Sequence, residues 1–268
     1  RGRSRNPDIS SIISEAEKIA GKGIKEIVLT GVNIGDFGKS TGDSFAGLLK
    51  ELVRVQGIER LRISSIEPNL LTDELIEMTA MGKKILPHFH IPLQSGSSRI
   101  LKLMNREYTR EWYMDRVQAI RTIIPECSLS TDMITGFCTE TEEDHKESLS
   151  LMEWTGFDFA YMFKYSERPG TKAARKYNDD ISESIKSERL SEMISLQNKL
   201  SAKSKKNDIG MFFDVLIEGF SKRSAEYLSG RTSQNKVVVF QGNDFKKGEY
   251  VKVLIERCTS ATLIGKCI

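Results

Sequence analysis

The segment from Cys127 to Thr171 restricts the possible folds of this chain more than any other part of its sequence. It predicts one strand at Leu129 to Ile134 and a second strand at Phe157 to Tyr165. Between them, Thr139 or Thr141 caps a helix whose first turn is acidic. A crossover of this length joins parallel strands, because antiparallel strands need only a short turn. The segment therefore predicts a parallel sheet with its chemistry at the carboxyl ends of the strands.

The same alternation of strand and helix extends over the first part of the chain. Strands are predicted near residues 26, 61, 89, 130 and 160. Each one ends in small or polar residues, and such endings in succession indicate a lined cavity. The predicted fold class is α/β, as a parallel barrel or an open sheet. A phosphate-binding barrel of aldolase type is an alternative, although no lysine stands in a clear Schiff-base context.

The pattern changes after Thr171. Residues 182–208 predict a long, charged connector helix with one broad apolar face. That face consists of Ile185, Leu190, Met193, Ile194, Leu196 and Leu200. From Met211 onward, short strands and turns predict a small barrel of the oligonucleotide-binding type, so a second domain begins near Ile209. Residues 199–268 carry 13 basic and 7 acidic side chains, which is a modest indication of nucleic-acid binding.

Composition excludes several classes of protein. No apolar run approaches the roughly 18 residues of a membrane span, and no signal-peptide pattern opens the chain. We therefore expect a cytoplasmic protein without a membrane partner. The four cysteines show no CxxC or CxxxC spacing: Cys127, Cys138, Cys258 and Cys267. This spacing predicts neither disulfides nor a metal site, and we expect ordinary core or surface residues.

Seven segments occur in an order that is specific as a set: RGRSRNP, EIVLTGVNIGDFG, RISSIEP, HFHIPLQSGSSRILKLMNR, STDMITGFCTETEEDH, FDFAYMFKYSERPGTKAA and GRTSQNKVVVF. With this set, essentially the whole chain resembles the methylthiotransferase family of radical S-adenosylmethionine enzymes. The resemblance implies a partial, TIM-like (β/α) barrel without its first strand at residues 1–180. A helical connector at 181–208 and an OB-like TRAM domain at 209–268 would follow.

The resemblance further implies a reaction and its cofactors. Such enzymes cleave S-adenosylmethionine reductively to a 5′-deoxyadenosyl radical and insert a methylthio group at an unactivated C–H bond. The complete protein would hold two [4Fe–4S] clusters. The family's N-terminal domain and CxxxCxxC loop are absent from this sequence, so we expect the chain alone to bind no cluster and to be inactive. Without the first strand of the barrel, the strand from Glu26 to Thr30 would lack a neighbour on one side. We expect this unpaired edge to favour association between copies of the chain.

Residue by residue, the resemblance implies seven cofactor-binding positions: Gly31, Asn33, Glu67, Gln94, Asp132, Ile134 and Gly136. The first two would hold the methionine end of S-adenosylmethionine, and the last two would flank its adenine. The three between them would bond the ammonium or the ribose hydroxyls. Either carboxylate, Glu67 or Asp132, could instead cap a neighbouring helix. No catalytic residue is implied.

One departure from the family pattern and one pair of histidines need their own interpretation. Cys138 stands where relatives usually have proline, and without a neighbouring cysteine we interpret it as non-catalytic. His88 and His90 face the same side of a strand, and we expect hydrogen-bonded cavity lining in preference to a metal site.

The implied partner is tRNA, modified at adenosine 37 next to the anticodon. Residues 31–38 lack the Gly-Gln-Asn usual in the isopentenyladenosine branch, so the sequence favours N6-threonylcarbamoyladenosine as substrate. N6-isopentenyladenosine is the alternative substrate, and an aspartate of a ribosomal protein is the third. Four basic residues are expected to track the tRNA backbone: Lys222, Arg223, Arg231 and Lys236. An RNA-binding module without catalysis is the hypothesis of a different class.

Overall fold

The structure is a computed structural model that describes residues 6–31, 33–222, 224–242 and 245–268. In its first part, strands alternate with helices: α1 (Ile9–Gly21), β1 (Glu26–Leu29), α2 (Phe45–Leu52), β2 (Arg60–Ile63), α3 (Asp73–Met81), β3 (His88–His90), α4 (Ser98–Leu103), α5 (Arg110–Ile123), β4 (Ser128–Thr135), α6 (Glu142–Thr155) and β5 (Phe159–Lys164). Two 3₁₀ turns, Ile34–Asp36 and Pro68–Leu70, follow β1 and β2.

The second part begins with two helices and continues with strands only. Its elements are α7 (Lys172–Lys176), α8 (Glu183–Lys206), β6 (Phe212–Ser221), β7 (Ser224–Arg231), β8 (Val237–Gln241), β9 (Tyr250–Cys258) and β10 (Leu263–Cys267). No helix within the described ranges is both long and apolar enough to span a bilayer.

The strands β1 to β5 follow one another in parallel. β1 pairs with β2, and β3, β4 and β5 form a continuous ladder. A bridge between Ser65 and His90 joins the two groups, and Ile66 N–H donates to His90 O at 3.1 Å. We call these strands and their helices the half-barrel. Both the predicted α/β class and the predicted partial barrel are confirmed.

The helices cover one face of this sheet and leave the other uncovered by helix. Leu61, Phe89, Leu129 and Met133 point toward the helices and are fully buried there. Their neighbours along each strand point to the opposite side, which we call the inner face, because side chains alternate along a strand. We call the carboxyl ends of these strands, with the loops that follow them, the rim. Side chains that reach the rim therefore come from the inner face and from those loops.

Capping residues set the helix boundaries. Side-chain oxygens of Asp8, Ser44, Thr72, Thr109, Thr141 and Ser182 accept backbone N–H groups at the starts of α1, α2, α3, α5, α6 and α8. At α6 the cap is Thr141, which forms a capping box with Asp144. Thr139, the other predicted cap, has a φ of 64° and lies before the helix.

The strands β6 to β10 form a closed barrel in the order β10-β8-β7-β6-β9. We call it the small barrel, and it confirms the predicted all-β fold of this region. Two glycines permit its closure. A Cβ atom on Gly230 would lie 2.3 Å from Leu216 O, and one on Gly265 would lie 2.1 Å from Leu254 O. Any larger residue at either position would push neighbouring strands apart.

Helix α8 buries only part of the apolar face that the sequence predicts. Ile185 and Ile194, two members of the predicted apolar face, are 41% and 40% exposed. The buried positions are mostly polar: Lys186, Arg189, Met193, Gln197, Ser201 and Lys205. Gln197 Nε2 donates to Phe157 O at 2.9 Å, and Ser201 Oγ donates to Asp158 O at 2.8 Å. Met193, Leu196 and Leu200 of the predicted face do pack against the core, and polar residues join them because the carbonyls just before β5 require polar partners from the helix.

The small barrel lies against the amino-terminal ends of the half-barrel strands. Arg60 Nη1 donates to Arg231 O at 2.9 Å and its Nη2 donates to Asp214 O at 2.9 Å. Arg62 donates to Ser233 O at 3.2 Å and to Thr232 O at 3.4 Å, and its Nε bonds Glu26 at 2.8 Å. We call Arg60 and Arg62 the arginine pair, and residues 232–236 the floor loop. Together they close the inner face from below.

Candidate cofactor and nucleic-acid site

The turn after β1 contains a side-chain oxygen that accepts no hydrogen bond from the described residues. Asn33 Nδ2 donates to Asp36 Oδ2 at 2.5 Å, while Asn33 Oδ1 is buried and has no partner among the described residues. A Cβ on Gly31 would lie 2.8 Å from Ile34 Cγ2, so the turn needs glycine there. A buried acceptor without a partner is costly unless a ligand donor completes it. This turn therefore fits an ammonium group.

Glu67 lies beyond the end of β2 and pairs with Arg106 at 3.0 Å. Its side chain caps no helix, which removes that alternative. Arg106 was not predicted as a site residue. Its Nε is buried and has no partner within the described ranges. The pair thus holds a carboxylate and a partly unused guanidinium at the rim.

Gln94 has a strained backbone that its neighbours hold in place. Its φ is 67°, unusual for a residue other than glycine. Gln94 N–H donates to Asp132 O, and Ile134 N–H donates to Gln94 O, both at 2.8 Å. Tyr108 Oη donates to Pro92 O at 2.9 Å and fixes the approach to this turn. Strain of this kind concentrates at ligand sites, because the surrounding fold must maintain it.

Asp132 lies in the carboxyl half of β4, three residues before the strand ends at Thr135. It projects on the inner face, where His90 Nε2 lies 3.3 Å from its Oδ1. His88 Nε2 and His90 Nδ1 both reach Ser130 Oγ, at 3.1 and 3.0 Å. Burial, and then the charge of Arg62, lower the pKa of His88 to about 3. These contacts agree with histidines that line a cavity by hydrogen bonding.

Three aromatic side chains stand in a row on the inner face of β5. Phe159, Tyr161 and Phe163 pair in register with Ser130, Asp132 and Ile134 of β4. The ring centroids of Tyr161 and His90 are 6.1 Å apart. We call these three residues the aromatic row.

Ile134 lines an open cleft of about 250 Å³ at the rim. Its aromatic walls are Phe137, Tyr165 and Tyr177, and its cationic lining is Lys102, Arg106, Lys172 and Lys176. Gly136, with a φ of 71°, lies beside it, and a Cβ there would lie 2.4 Å from Lys186 Cγ. This volume suits one planar ring and not a whole nucleotide. Apart from Ile134, these lining residues were not predicted as site residues from the sequence.

The cysteines do not suit an iron–sulfur cluster. Cys127 and Cys138 are buried at opposite ends of β4, and Cys258 and Cys267 belong to the small barrel. Burial raises the pKa of the Cys127 thiol to about 12 and also raises that of Cys138. No group of three potential ligands comes together within the described residues. No step of the chemistry is therefore assigned to cysteines of this chain.

The predicted RNA-binding residues lie in different surroundings. Lys222 is exposed at the turn between β6 and β7, whereas Arg223 lies outside the described residues. Arg231 Nε bonds Glu218 at 3.0 Å, and its Nη1 bonds Asn235. Lys236 is largely buried, with Nζ 2.7 Å from Asp208 Oδ2 and 3.7 Å from Asp158 Oδ1. Its contacts place it in the junction between half-barrel and small barrel.

Two family models match the chain. The Radical SAM superfamily matches residues 1–152, and the TRAM domain matches residues 207–268. The first match covers more than half of the chain. The second begins directly after α8 and coincides with the small barrel.

Curated relatives and one solved structure extend these matches. The chain is 49% identical to a Phocaeicola vulgatus protein and 50% identical to a Bacteroides fragilis protein, in each case over 99% of this chain. Both are named tRNA-2-methylthio-N(6)-dimethylallyladenosine synthase, and the chain spans 59% of the length of each. Coproporphyrinogen III oxidase of Escherichia coli matches 84% of this chain and 60% of its own, with a TM-score of 0.53 at 14% identity. That likeness concerns the fold alone.

Proposed function

The chain belongs to the radical SAM superfamily, and from this membership we propose that it is part of a methylthiotransferase acting on dimethylallyladenosine in tRNA. The observation that carries the proposal is the 49–50% identity, over 99% of the chain, to proteins named for that reaction. Adenosine 37 is the proposed position. This reverses the preference for threonylcarbamoyladenosine that residues 31–38 favoured, and it adopts the isopentenyl alternative.

Charge on the inner face supports the apolar substrate. A threonylcarbamoyl group carries a carboxylate, whereas a dimethylallyl group is uncharged and branched. Asp132 places a second carboxylate beside the aromatic row, and carboxylates at short range repel each other. The arginine pair could neutralise a substrate anion, but Glu26 and backbone carbonyls of the small barrel and the floor loop already bond both side chains.

Residues of the rim fit S-adenosylmethionine as the cofactor. Asn33 Oδ1 would accept from its ammonium, with Gly31 leaving room for close approach. Ile134 and the cleft beside Gly136 would receive its adenine, and Glu67 or Gln94 would bond its polar groups. The cofactor supplies the radical when bound. The chain would bind and orient it, and the floor loop would exclude water from below.

The test is product formation by the complete protein after anaerobic cluster assembly. We expect 2-methylthio-N6-dimethylallyladenosine from tRNA that carries dimethylallyladenosine at position 37, detected by mass spectrometry of nucleosides. Two matched tRNAs serve as controls, one with unmodified adenosine and one with threonylcarbamoyladenosine at the same position. Product from the threonylcarbamoyl tRNA alone would overturn the substrate assignment. Binding of all three tRNAs without any product would favour the RNA-binding module.

Binding of tRNA by this chain should depend strongly on salt, because lysine–phosphate contacts release counterions. Lys222 and Lys246 are exposed on the small barrel. We expect Lys222→Ala with Lys246→Ala to reduce the slope of log affinity against log salt by roughly two. Lys236→Ala is the matched control and should leave the slope unchanged, since its ammonium is paired with Asp208. Fluorescence anisotropy between low and physiological salt measures both, and an equal slope for the double variant would contradict the assignment.

A further inference from the structure

The aromatic row is unusually exposed for a strand inside a barrel. Phe159, Tyr161 and Phe163 are 47%, 54% and 53% exposed. Their neighbours Ala160 and Met162 point toward the helices, so β5 is apolar on both faces. Exposed apolar patches on a folded protein usually mark a binding surface.

The surroundings of the row define a compartment. Below it, the arginine pair and the floor loop close the inner face, and Arg60 also stacks on Tyr250 with its guanidinium carbon 4.8 Å from the ring centroid. Above it, Phe163 pairs in register with Ile134, which opens into the rim cleft. The row is therefore continuous with the site assigned to the cofactor, and it faces the interior of the half-barrel.

We propose that the aromatic row is the binding surface for the apolar N6 substituent of the substrate adenosine. This inference rests on the proposed function and deepens it by naming the residues that recognise the dimethylallyl group. The group has five carbons and no polar atom, so its contact with aromatic rings removes apolar surface from water on both sides. The ring faces and edges of three aromatic side chains also offer a rigid surface for a planar, branched alkene.

Asp132 gives this surface its selectivity. It lies beside Tyr161 in the ladder and is held by His90 at 3.3 Å. A substituent that ends in a carboxylate would be desolvated next to this side chain, because Lys102, Arg106, Lys172 and Lys176 line the rim cleft and not the inner face. Among the described residues of the inner face, the arginines are engaged with Glu26 and with backbone carbonyls. Leaving a buried polar group without a partner discriminates between substrates more strongly than the loss of a methylene contact does.

The experiment uses the complete protein and RNA stem-loops with dimethylallyladenosine or unmodified adenosine at the target position. We expect wild type to bind the dimethylallyl RNA more tightly than the unmodified RNA. Phe163→Ala and Tyr161→Ala should each reduce that preference about tenfold and raise KM more than they lower kcat. Phe163→Leu should keep most of the preference, because leucine retains apolar surface. Trp154→Ala, which removes an aromatic residue 44% exposed on α6, is the matched control and should change neither value.

Distinct results separate this inference from the proposed function. If wild type forms no methylthio product, the proposed function fails, whatever the variants do. If wild type forms product but Phe163→Ala and Tyr161→Ala keep the full preference for the dimethylallyl RNA, the aromatic row does not bind the substituent. If either variant instead changes the sedimentation coefficient, the row is covered by a second copy and the inference is overturned. Thermal unfolding within a few degrees of wild type establishes that each variant is folded.

Discussion

Arg62→Ala should lower the free energy of unfolding by about 3–5 kcal/mol, because it removes one partner of a buried ion pair. The side chain of Arg62 is 6% exposed and its Nε lies 2.8 Å from Glu26 Oε1. Burial lowers the pKa of Arg62, and the Glu26 carboxylate opposes that shift, so the guanidinium stays charged. Without it, Glu26 remains in a poorly solvated site and the carbonyls of Thr232 and Ser233 lose their donors.

Urea denaturation measures this loss, and hydrogen exchange locates it. We expect faster amide exchange in the floor loop of the variant, since the small barrel would separate more often from the half-barrel. Arg54→Ala is the matched control. Arg54 is 73% exposed and pairs with Glu51 on the surface, so its loss should cost no more than about 1 kcal/mol. Equal destabilisation by the two variants would show that the arginine pair does not join the two barrels.

Stability should also fall as the pH decreases from about 6.5, with His88 as the main cause. The folded pKa of His88 is lowered to about 3, while an unfolded histidine titrates near 6.5. The fold therefore holds the neutral ring. Its contribution is fully present above pH 6.5 and is lost progressively as the pH falls toward 3. At full extent the loss is on the order of 5 kcal/mol, since each pKa unit corresponds to about 1.4 kcal/mol.

Burial and the charged groups around His88 explain why its pKa is lowered. Burial is the largest cause, followed by Arg62 and His90, while Asp158 acts in the opposite sense and Arg231 adds to the lowering. His88→Gln keeps a group that can bond Ser130 and removes the titration. We expect its stability to vary less than that of wild type between pH 6.5 and 4.5, a window above the titration of most carboxylates. Parallel profiles for the two proteins, measured by urea denaturation, would rule out His88 as the titrating group.

The secondary structure could be predicted from the sequence because local patterns determine it. Each strand of the half-barrel lies where a short apolar run suggested one, and β6 to β10 lie where alternating runs and turns suggested the small barrel. The burial of polar side chains on α8 could not be predicted. Gln197 and Ser201 are polar, and their burial follows from the carbonyls of Phe157 and Asp158 just before β5, which are close in space but distant in sequence.

The sequence predicts which loops carry the site residues, but it does not predict which side chains those residues pair with. Asn33 and Glu67 lie in the expected loops. The pairing of Glu67 with Arg106 spans 39 residues, and that of Arg62 with Ser233 spans 171 residues. Such pairs depend on tertiary packing, which no local pattern encodes. The aromatic row did leave a local signal, since FAYMF is apolar at every position and thus predicts a strand with apolar side chains on both faces.

The small barrel lies beneath the half-barrel, and this arrangement sets the minimum length of any RNA that contacts both. The rim lies at the carboxyl ends of the strands and the small barrel at their amino ends. The eight residues of β4 separate the two levels by roughly 26 Å at about 3.3 Å per residue. A bare loop shorter than this reach would engage the rim alone. A stem-loop that spans it gains the second contact at high effective concentration, so affinity should rise in a step with stem length.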